Sequence, residues 1–520
     1  MRYFLGLDNG GTTTKAAIYD EHGTELAMAG SSTELRVPQI GFAEQDMEEL
    51  WQRNCRVVRM ALERSGLRPR DIACVACCGH GKGMYLWGSD GRPACPGISS
   101  VDNRAWEYPV QWAADGTEAR AFALSKQHVL ASQPVALLAW MRDHRPEVLA
   151  RSRYVFGCKD YVRFRLTGEA CFERSDASGC NLMNLDTCEY DPELLRLFGL
   201  EACARLLPPL RNAADICGYV TAEAAEATGL AAGTPVAGGA FDIDACAAAA
   251  RVFDGESLCM IAGTWSINEY VASAPVTDGT VKMNSCFCVP GRYLVEESSP
   301  TSAGNLEWLI DTMLPELRSQ CAAEGRSIYE IINRWVAEAE EAPCPIFLPF
   351  LMGSNVHPLA AGTFIGLNRY HGRKHMARAV YEGVAFSHRF HYERLLQSMP
   401  RPPRVIRLTG GANRSAVWSQ MFADVMKCPV EAMDVNEAGT LGCAIFSAAA
   451  AGAYSSLEEA AGNMSRVARR FEPDRTRYTY YDQQYNRYRR ALQLLDPIWG
   501  ELDPQRGEHR PQGEKLCSKN

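Results

Sequence analysis

The first twenty residues place two apolar runs on either side of a polar turn. YFLGLD at residues 3–8 and KAAIYD at 15–20 predict β-strands, and NGGTTT between them predicts a turn. The following apolar positions fall at helical spacing and predict a helix that ends before Gly66. These positions are Met47, Leu50, Trp51, Val58, Ala61 and Leu62. The continuous apolar run IACVACCG at 72–79 then predicts a buried strand, and this mixed order predicts an α/β fold.

The pattern of strand and glycine turn recurs later in the chain. Residues 256–273 predict strand, small-residue turn and strand, while residues 405–426 predict a strand followed by a glycine turn and a helix. This recurrence predicts a pseudo-duplicated protein with a site between its halves. We place the domains at residues 1–250 and 251–490. The polar stretch 491–520 is predicted to be a disordered tail.

Composition narrows the class of protein. Of the 520 residues, 47% are hydrophobic and 22% charged, as in ordinary globular proteins. The net charge of −8 and the lack of a Lys/Arg-rich stripe argue against nucleic acid as a partner. Charges break the longest apolar stretches well short of a membrane span, so no membrane association is expected. With no recognisable secretory leader, the sequence predicts a cytoplasmic protein.

The 20 cysteines suggest either packing or metal binding. A disulfide framework would need a short secreted chain, so we expect reduced thiols. Cys74, Cys77 and Cys78 form a C-x-x-C-C pattern that makes zinc an alternative. The pattern lies in a predicted buried strand and lacks a second ligand pair, which favours packing of the thiols as small hydrophobic groups.

LDNGGTTTK at residues 7–15 has the composition of a phosphate-binding turn. The glycines and threonines at positions 10–14 allow close backbone approach and supply hydroxyl donors. Lys15 adds a positive charge, and Asp8 at the strand end is a candidate to hold Mg²⁺ through water. The stretch matches neither a P-loop nor a G-x-G-x-x-G turn. On its own it is equally typical of a plain hairpin with a polar turn.

Several motifs together resemble one known family. LDNGGTTTK, AGTWS, FLPFLMGSN and TGGANRSAVWSQMFADV occur with DYVRFRLTGEACFERSDASGCNLMNL, GLAAGTPVAGGAFD and AAGTFIGLNRYHGRKHMARAVYEGVAFSHR. In this combination, over residues 3–490, the chain resembles the FGGY family of carbohydrate kinases. The resemblance implies two actin-like, ribonuclease H-like α/β domains with an interdomain cleft. It also implies ATP, Mg²⁺ and a small-molecule sugar as ligands, and it is compatible with a homodimer.

The resemblance assigns roles by position to the glycine-rich turns. Their members are Gly11, Thr12 and Thr13 in the first phosphate loop with Lys15 beside it, Gly263 and Thr264 in the second, and Gly410, Gly411 and Asn413 beneath the adenosine. Asp8 matches the acid near the metal. Many relatives have Ser after the second Gly-Thr, where this chain has Trp265, and Ser266 is a candidate to replace the missing hydroxyl.

Two acids, Asp242 and Asp244, stand in the small-residue run VAGGAFDIDAC. Asp242 occupies the position of the family's general base, which would accept the proton of the sugar hydroxyl. The plain structural alternative is a helix N-cap, because an Ala-rich helix follows directly, and the two roles are compatible because a helix N-terminus would keep the acid ionised. Asp244 is predicted in the first turn of that helix, where it would complement the helix dipole.

Two further stretches match sugar-binding positions of the family. They contribute Gly81, Lys82, Asp102 and Arg104 as candidates. Lys82 stands where xylulose kinases have His, and Ser100 and Val101 replace a Trp-Asn pair. These departures most resemble the branch that acts on L-xylulose and 3-keto-L-gulonate. Lys82 is predicted to pair with a sugar acid or to bind L-xylulose hydroxyls, or else to be a solvated loop residue.

The function expected from the resemblance is ATP-dependent phosphorylation of a sugar hydroxyl, on a ketopentose such as L-xylulose or on a keto-sugar acid. D-xylulose, L-ribulose and gluconate are alternative substrates within the family. An actin-like or Hsp70-like ATP-driven binding protein and a sugar sensor are the alternatives outside catalysis.

Overall fold

The chain forms two halves, each built around a seven-stranded sheet. This computed structural model describes residues 1–281, 283–339, 344–357 and 359–502. The predicted tail, 491–520, falls largely outside this part of the chain. Its first residues, 491–502, are helical turns in the structure, which corrects the predicted start of disorder.

The first half contains fifteen strands and ten α-helices within the described residues. The strands are β1 Tyr3–Asn9, β2 Thr13–Asp20, β3 Glu25–Ser32, β4 Glu44–Gln45, β5 Ile72–Gly79, β6 Tyr85–Gly88, β7 Gly97–Ile98, β8 Ser152–Phe156, β9 Phe172–Glu173, β10 Met183–Asn184, β11 Glu189–Tyr190, β12 Leu210–Arg211, β13 Ile216–Tyr219, β14 Pro235–Ala237 and β15 Ala240–Phe241. The helices are α1 Met47–Ser65, α2 Glu107–Ala114, α3 Thr117–Ser125, α4 Pro134–His144, α5 Pro146–Arg151, α6 Cys158–Thr167, α7 Arg174–Ser178, α8 Pro192–Leu197, α9 Ala222–Thr228 and α10 Asp242–Ala249.

The second half is built from nine strands and nine α-helices among the residues that the structure describes. The strands are β16 Ser257–Ala262, β17 Ser266–Ala272, β18 Met283–Cys286, β19 Tyr293–Ser299, β20 Ile346–Leu348, β21 Thr363–Ile365, β22 Val405–Thr409, β23 Val430–Met433 and β24 Val467–Phe471. The helices are α11 Gly304–Met313, α12 Pro315–Ala323, α13 Ile328–Glu338, α14 Arg373–Ser398, α15 Ala416–Met426, α16 Ala438–Ala450, α17 Leu457–Met464, α18 Tyr478–Leu495 and α19 Trp499–Leu502.

Five neighbouring strands follow the same order in the two large sheets. The first runs β3-β2-β1-β5-β14, and the second runs β19-β17-β16-β22-β23. In each sheet, the first three strands of this order pair antiparallel with their neighbours. The last two strands run parallel to the third, which is β1 in the first sheet and β16 in the second. The matching order agrees with the pseudo-duplication predicted from the recurring glycine turns. The two-domain α/β architecture expected from the resemblance is confirmed.

The elements predicted from local patterns are present at nearly the predicted bounds. The hairpin β1–β2 and the buried strand β5 are confirmed, and α1 is capped by the Asp46 side chain and ends at Gly66, whose φ is 67°. Burying alternate or continuous apolar positions drives these elements together. No helix in the described ranges is both long enough and apolar enough to cross a bilayer.

Helices α10 and α16 join the halves. They pack on each other, and α16, from the second half, also packs on β1 and β5 of the first. A Cβ added at Gly442 would stand 2.2 Å from the Ala245 carbonyl oxygen, so only glycine permits this approach of the two backbones. The apolar core around the two helices contains residues of both halves, including Ala248 and Ile445. The hairpins at the ends of β1 and β16 are therefore held across one shared core.

Candidate active site

Residues of both halves line one cavity of about 420 Å³, and the glycines among them belong to the second half. Its lining residues include Asp8, Lys15, Cys246, Gly263, Thr264, Gly410, Gly411, Arg414, Glu437 and Gly439. The structure thus brings together six of the residues assigned to ATP or metal by resemblance. Gly11 and Thr13 are half buried and Thr12 is exposed in or beside the β1–β2 turn, and none of the three lines this cavity.

A second cavity, of about 450 Å³, adjoins the first through Ala303, Glu307, Gly411 and Arg414. Its remaining walls include Tyr329, Asn333, Tyr381, Ser415 and Trp418. Aromatic walls with a few polar groups suit a flat heteroaromatic base. Sequence reasoning missed these residues, because aromatic positions at helical spacing are equally typical of a core.

Asn333 is held in one orientation in this second cavity. Its Oδ1 accepts hydrogen bonds from the Tyr381 hydroxyl at 3.0 Å and from the Ser415 hydroxyl at 2.6 Å. Tyr381 in turn stacks on Trp418, with ring centroids 4.0 Å apart. Asn413, assigned beneath the adenosine, is fixed by a 2.8 Å bond from its Nδ2 to the Met433 carbonyl.

Asp8 and Lys15 face each other across the first hairpin, where they form a cross-strand pair. Burial raises the pKa of Asp8 to about 6, although the charge of Lys15 opposes the shift. The Asp8 Oδ1 has no hydrogen-bond partner among the described residues. Lys15 Nζ lies 2.6 Å from Glu437 Oε2, directly before α16, so an ion pair joins the two halves at the wall of the cavity. A Cβ added at Gly439, the second residue of α16, would lie 2.6 Å from Asp8 Oδ2.

Asp8 is the residue of this cavity suited to hold a metal ion. Within the described residues, no group of three or more His, Cys, Asp and Glu could hold an ion by itself. Mg²⁺ usually keeps several waters and takes one or two carboxylates together with substrate phosphates. The unpartnered Asp8 oxygen therefore fits such a site.

Asp242 is the first residue of α10, directly after β15. The N-cap alternative is wrong, because Phe241 is the N-cap and no side chain caps the helix. Burial raises the pKa of Asp242 well above its usual range, and the nearby Asp8 and Asp176 carboxyls raise it further. A carboxyl shifted in this direction suits a general base near neutral pH.

A buried charged cluster lies behind Asp242. Lys159 Nζ is 2.9 Å from Asp160 and 3.5 Å from Glu173, and all three side chains are buried. Glu173 accepts a 2.6 Å hydrogen bond from the Ser175 hydroxyl, which itself accepts the Phe241 N–H at 3.0 Å. This chain of bonds fixes the backbone at the start of α10. Asp160, Glu173 and Ser175 lie in a family motif of the sequence, which did not point to this task, and Lys159 lies just before that motif.

Asp244 has a different environment from Asp242. It lies in the first turn of α10, as predicted, and is fully buried. Its Oδ1 accepts the Cys288 backbone N–H at 2.8 Å, from the second half of the chain. Asp244 therefore links the two halves, a role that its position in the helix turn did not indicate.

The loop after β5 packs beside the catalytic candidate. A Cβ at Gly81 would lie 2.5 Å from the Phe241 ring, so this loop contacts the residue that precedes Asp242. Lys82 follows with φ of 62° and is half buried. In the described part of the chain it makes no ion pair, which leaves its ammonium group available to a ligand.

Asp102 and Arg104 bond to each other. Arg104 Nη2 is 2.9 Å from Asp102 and 2.8 Å from Glu44, and both members of the predicted pair are buried. Asp102 also accepts the Ala43 N–H at 2.7 Å, while the Arg104 guanidinium lies 4.0 Å above the Phe42 ring. Their bonds brace two loops at the rim of the first half.

Trp265 is 37% exposed at the tip of the second hairpin. Ser266, considered as a replacement hydroxyl for this turn, is buried instead, with its Oγ 3.1 Å from His388 Nδ1.

Comparison with known proteins gives one consistent result. Residues 3–249 match the N-terminal domain of the FGGY family of carbohydrate kinases, and residues 258–451 match its C-terminal domain. A probable L-xylulose kinase of Pasteurella multocida is 36% identical, covering 95% of this chain and 99% of the relative. The L-xylulose/3-keto-L-gulonate kinase of Escherichia coli K12 is also 36% identical, covering 95% and 97%. The crystal structure of a xylulose kinase from Rhodospirillum rubrum is 27% identical, with a TM-score of 0.81 over 96% of this chain and all of that one.

Proposed function

The chain belongs to the FGGY family of carbohydrate kinases, and we propose on this basis that it phosphorylates L-xylulose or a closely related keto-sugar acid. ATP-dependent transfer of a phosphoryl group to a sugar hydroxyl is the activity of the family and of this enzyme. The non-catalytic alternatives, an ATP-driven binding protein and a sugar sensor, are therefore set aside. The observation that carries the choice of sugar is the 36% identity, over nearly full length, to kinases named for L-xylulose.

ATP is assigned to the two adjoining cavities. The aromatic cavity suits the adenine, and the glycine turns in the other suit the phosphates, which backbone N–H groups and hydroxyls can bind. In this assignment the Gly263–Thr264 turn receives the γ-phosphate, while Lys15 and Arg414 supply positive charge. Asp8 would hold Mg²⁺ through water, and the bound ion would neutralise phosphate charge during transfer.

Asp242 is assigned as the general base. As the sugar hydroxyl attacks the γ-phosphorus, a new O–P bond forms, the bond to the β-phosphate oxygen breaks, and the hydroxyl proton passes to Asp242. ADP leaves with the electron pair of the broken bond. The position of Asp242 at the start of α10, fixed through Phe241 and Ser175, supports this role because a base must be held in place.

The sugar is assigned to the space beside the Gly81 loop, which carries Lys82. A carboxylate of a sugar acid would pair with the Lys82 ammonium, whereas L-xylulose would offer it only hydroxyls. Asp102 and Arg104 would shape this space through the loops that they brace. Homodimerisation and a cytoplasmic location stay predictions of the family resemblance.

A substrate panel tests the choice of sugar. Wild type and Lys82→Ala are compared on L-xylulose, 3-keto-L-gulonate, D-xylulose, L-ribulose and gluconate, with ADP release as the readout. We expect L-xylulose or 3-keto-L-gulonate to give the highest kcat/KM, and Lys82→Ala to lower it about tenfold, as for loss of one charge-assisted bond.

Lys427→Ala is the matched control. Lys427, directly after α15, also has a left-handed backbone, with φ of 56°, but its ammonium group forms an ion pair with Asp482. This variant should keep the wild-type preference. Unchanged activity of Lys82→Ala on every sugar would remove Lys82 from the site, and a clear preference for D-xylulose, L-ribulose or gluconate would reject the proposed substrate.

A further inference from the structure

His388 lies behind the second phosphate turn and is fully buried on α14. Its Nδ1 is 2.8 Å from Asn268 Oδ1 and 3.1 Å from Ser266 Oγ, both on β17. Its Nε2 is 2.8 Å from the hydroxyl of Ser302, in the segment that leads into α11. One imidazole thus joins two segments of the chain that are 36 positions apart in sequence at Ser266 and Ser302.

The hydrogen bonds determine which nitrogen of His388 carries the proton. Asn268 donates through its Nδ2 to the Glu297 carbonyl at 3.2 Å, so its Oδ1 is the atom that faces the ring. An amide oxygen can only accept, and His388 Nδ1 must therefore be the donor. Nε2 is then left as an acceptor for the Ser302 hydroxyl. Burial lowers the pKa of His388 to about 3, which keeps the ring neutral near pH 7.

The bonds of Nε2 lead through Ser302 to the turn between β16 and β17, and those of Nδ1 end on the first residues of β17. Ser302 donates its backbone N–H to the Thr264 carbonyl at 3.0 Å, and Ser266 is the first residue of β17 after that turn. The Phe422 ring stands edge-on to the imidazole, with centroids 5.3 Å apart and planes at 75°. The imidazole is thus fixed by hydrogen bonds on two sides and by an aromatic contact on a third.

We infer that His388 is a positioning residue for phosphoryl transfer, which holds the Gly263–Trp265 turn in the geometry that receives the γ-phosphate. The inference rests on the proposed function of that turn. His388 acts through Ser302 and Asn268 and touches no substrate itself. Because a shift of about 1 Å in a positioning group can lower a rate by about 10²-fold, its removal should weaken catalysis strongly without removing any group that contacts the ligands.

The experiment separates binding of the γ-phosphate from binding of the rest of the nucleotide. Wild type, His388→Ala, His388→Gln and Ser302→Ala are titrated calorimetrically with ADP and with the non-hydrolysable ATP analogue AMP-PNP, both with Mg²⁺. We expect His388→Ala to lower affinity for AMP-PNP about tenfold, the worth of one misplaced charge-assisted bond, and to leave affinity for ADP nearly unchanged. His388→Gln, whose amide oxygen can still accept from Ser302, should recover part of this loss, and Ser302→Ala should reproduce it.

Kinetics supply the second readout. In His388→Ala we expect kcat to fall about 10²-fold, with KM for the sugar unchanged because the sugar site lies in the other half of the chain. His391→Ala is the matched control: His391 is fully buried on the same helix and contacts Glu297 at 3.2 Å. His391→Ala should lower the melting temperature about as much as His388→Ala does. It should keep the wild-type ratio of the affinities for AMP-PNP and ADP.

Three results would overturn the inference: equal losses for ADP and AMP-PNP in His388→Ala, the same change of preference in His391→Ala, or full wild-type kcat in His388→Ala. If His388→Ala does not fold, His388→Gln and Ser302→Ala decide the question by the same preference. A wild-type protein that phosphorylates no sugar of the panel would reject the proposed substrate class, while the nucleotide titrations would still test His388.

Discussion

The two hairpins that we assign to the phosphates, β1–β2 and β16–β17, take equivalent places in their sheets but have different supports. The first, β1–β2, is held from the other half of the chain. Lys15 pairs with Glu437, Tyr19 shares a 2.8 Å hydrogen bond with Thr440, and Gly439 lies against Asp8. The second hairpin, β16–β17, also packs on the shared core, but its turn is held from within its own half, by His388 of α14.

This difference assigns the hairpins different parts in any relative movement of the halves. Moving α16 against β1 would change the surroundings of Asp8 and Lys15, because their contacts cross the cleft. The same movement would leave the contacts of His388 with the second turn unchanged. We therefore expect closure of the cleft to adjust the metal and the nucleotide charge at the first hairpin, while the second hairpin receives the γ-phosphate as a rigid element.

The largest expected effect comes from Asp242, the proposed general base at the start of α10. Asp242→Asn keeps the shape of the side chain but removes its capacity to accept a proton. We expect kcat to fall about 10³-fold, within the usual contribution of a general base, while calorimetry shows unchanged ATP affinity. Asp244→Asn is the matched control, since its amide oxygen can still accept the Cys288 N–H, and it should retain most activity.

The pH dependence of kcat/KM provides a second measurement on Asp242. The base must be ionised, and its pKa is raised in the folded protein, so activity should decline as pH falls through a value above the ordinary Asp range of about 4. The residual activity of Asp242→Asn should lose the part of this decline that belongs to Asp242 and keep the part due to Asp8, whose pKa is raised to about 6. Substantial turnover of Asp242→Asn, or a wild-type decline confined to the ordinary range, would contradict the assignment.

A smaller loss is expected when the support of the first hairpin is altered. Gly439→Ala would place a Cβ 2.6 Å from Asp8 Oδ2 and 2.9 Å from its Cγ, so α16 or Asp8 must move. We expect kcat/KM for ATP to fall about 10²-fold, by displacement of the carboxylate that we propose to hold the metal. Gly462→Ala is the control: nothing lies within 4 Å of a Cβ there, and alanine should stabilise α17 by about 0.5–1 kcal/mol. Wild-type kinetics in Gly439→Ala would show that Asp8 does not depend on this contact.

The sequence predicted the elements and turns better than it predicted their supports. The β1–β2 and β16–β17 hairpins follow from local patterns, because strand and turn signals involve neighbouring residues. The N-cap alternative for Asp242 failed because β15 runs directly into α10, leaving Phe241 as the cap. His388 had no local signal in the sequence, because its hydrogen-bond partners lie 86 to 122 residues away. A histidine in an apolar helix is equally typical of core packing.

The smallest effects are expected from the ion pair that crosses the cleft. Burial lowers the pKa of Lys15, but the adjacent Glu437 carboxylate outweighs burial and leaves the pKa raised, so Lys15 is charged at neutral pH. If Lys15 binds nucleotide phosphate, Lys15→Ala should raise KM for ATP about tenfold, the worth of one charge-assisted bond. Glu437→Gln removes only the competitor for that charge, and KM for ATP should stay the same or fall about twofold.

The two variants give opposite results only if the lysine acts on the nucleotide. If the ion pair instead matters because it holds α16 against the first hairpin, both substitutions would raise KM for ATP by a similar factor. Steady-state kinetics at two ionic strengths add a further distinction, because salt screens a partly exposed charge pair. The tenfold effect of Lys15→Ala should shrink at high salt, and the near-neutral effect of Glu437→Gln should not change. Equal effects of the two variants would instead make the first hairpin a structural joint between the halves, with no direct part in binding the phosphates.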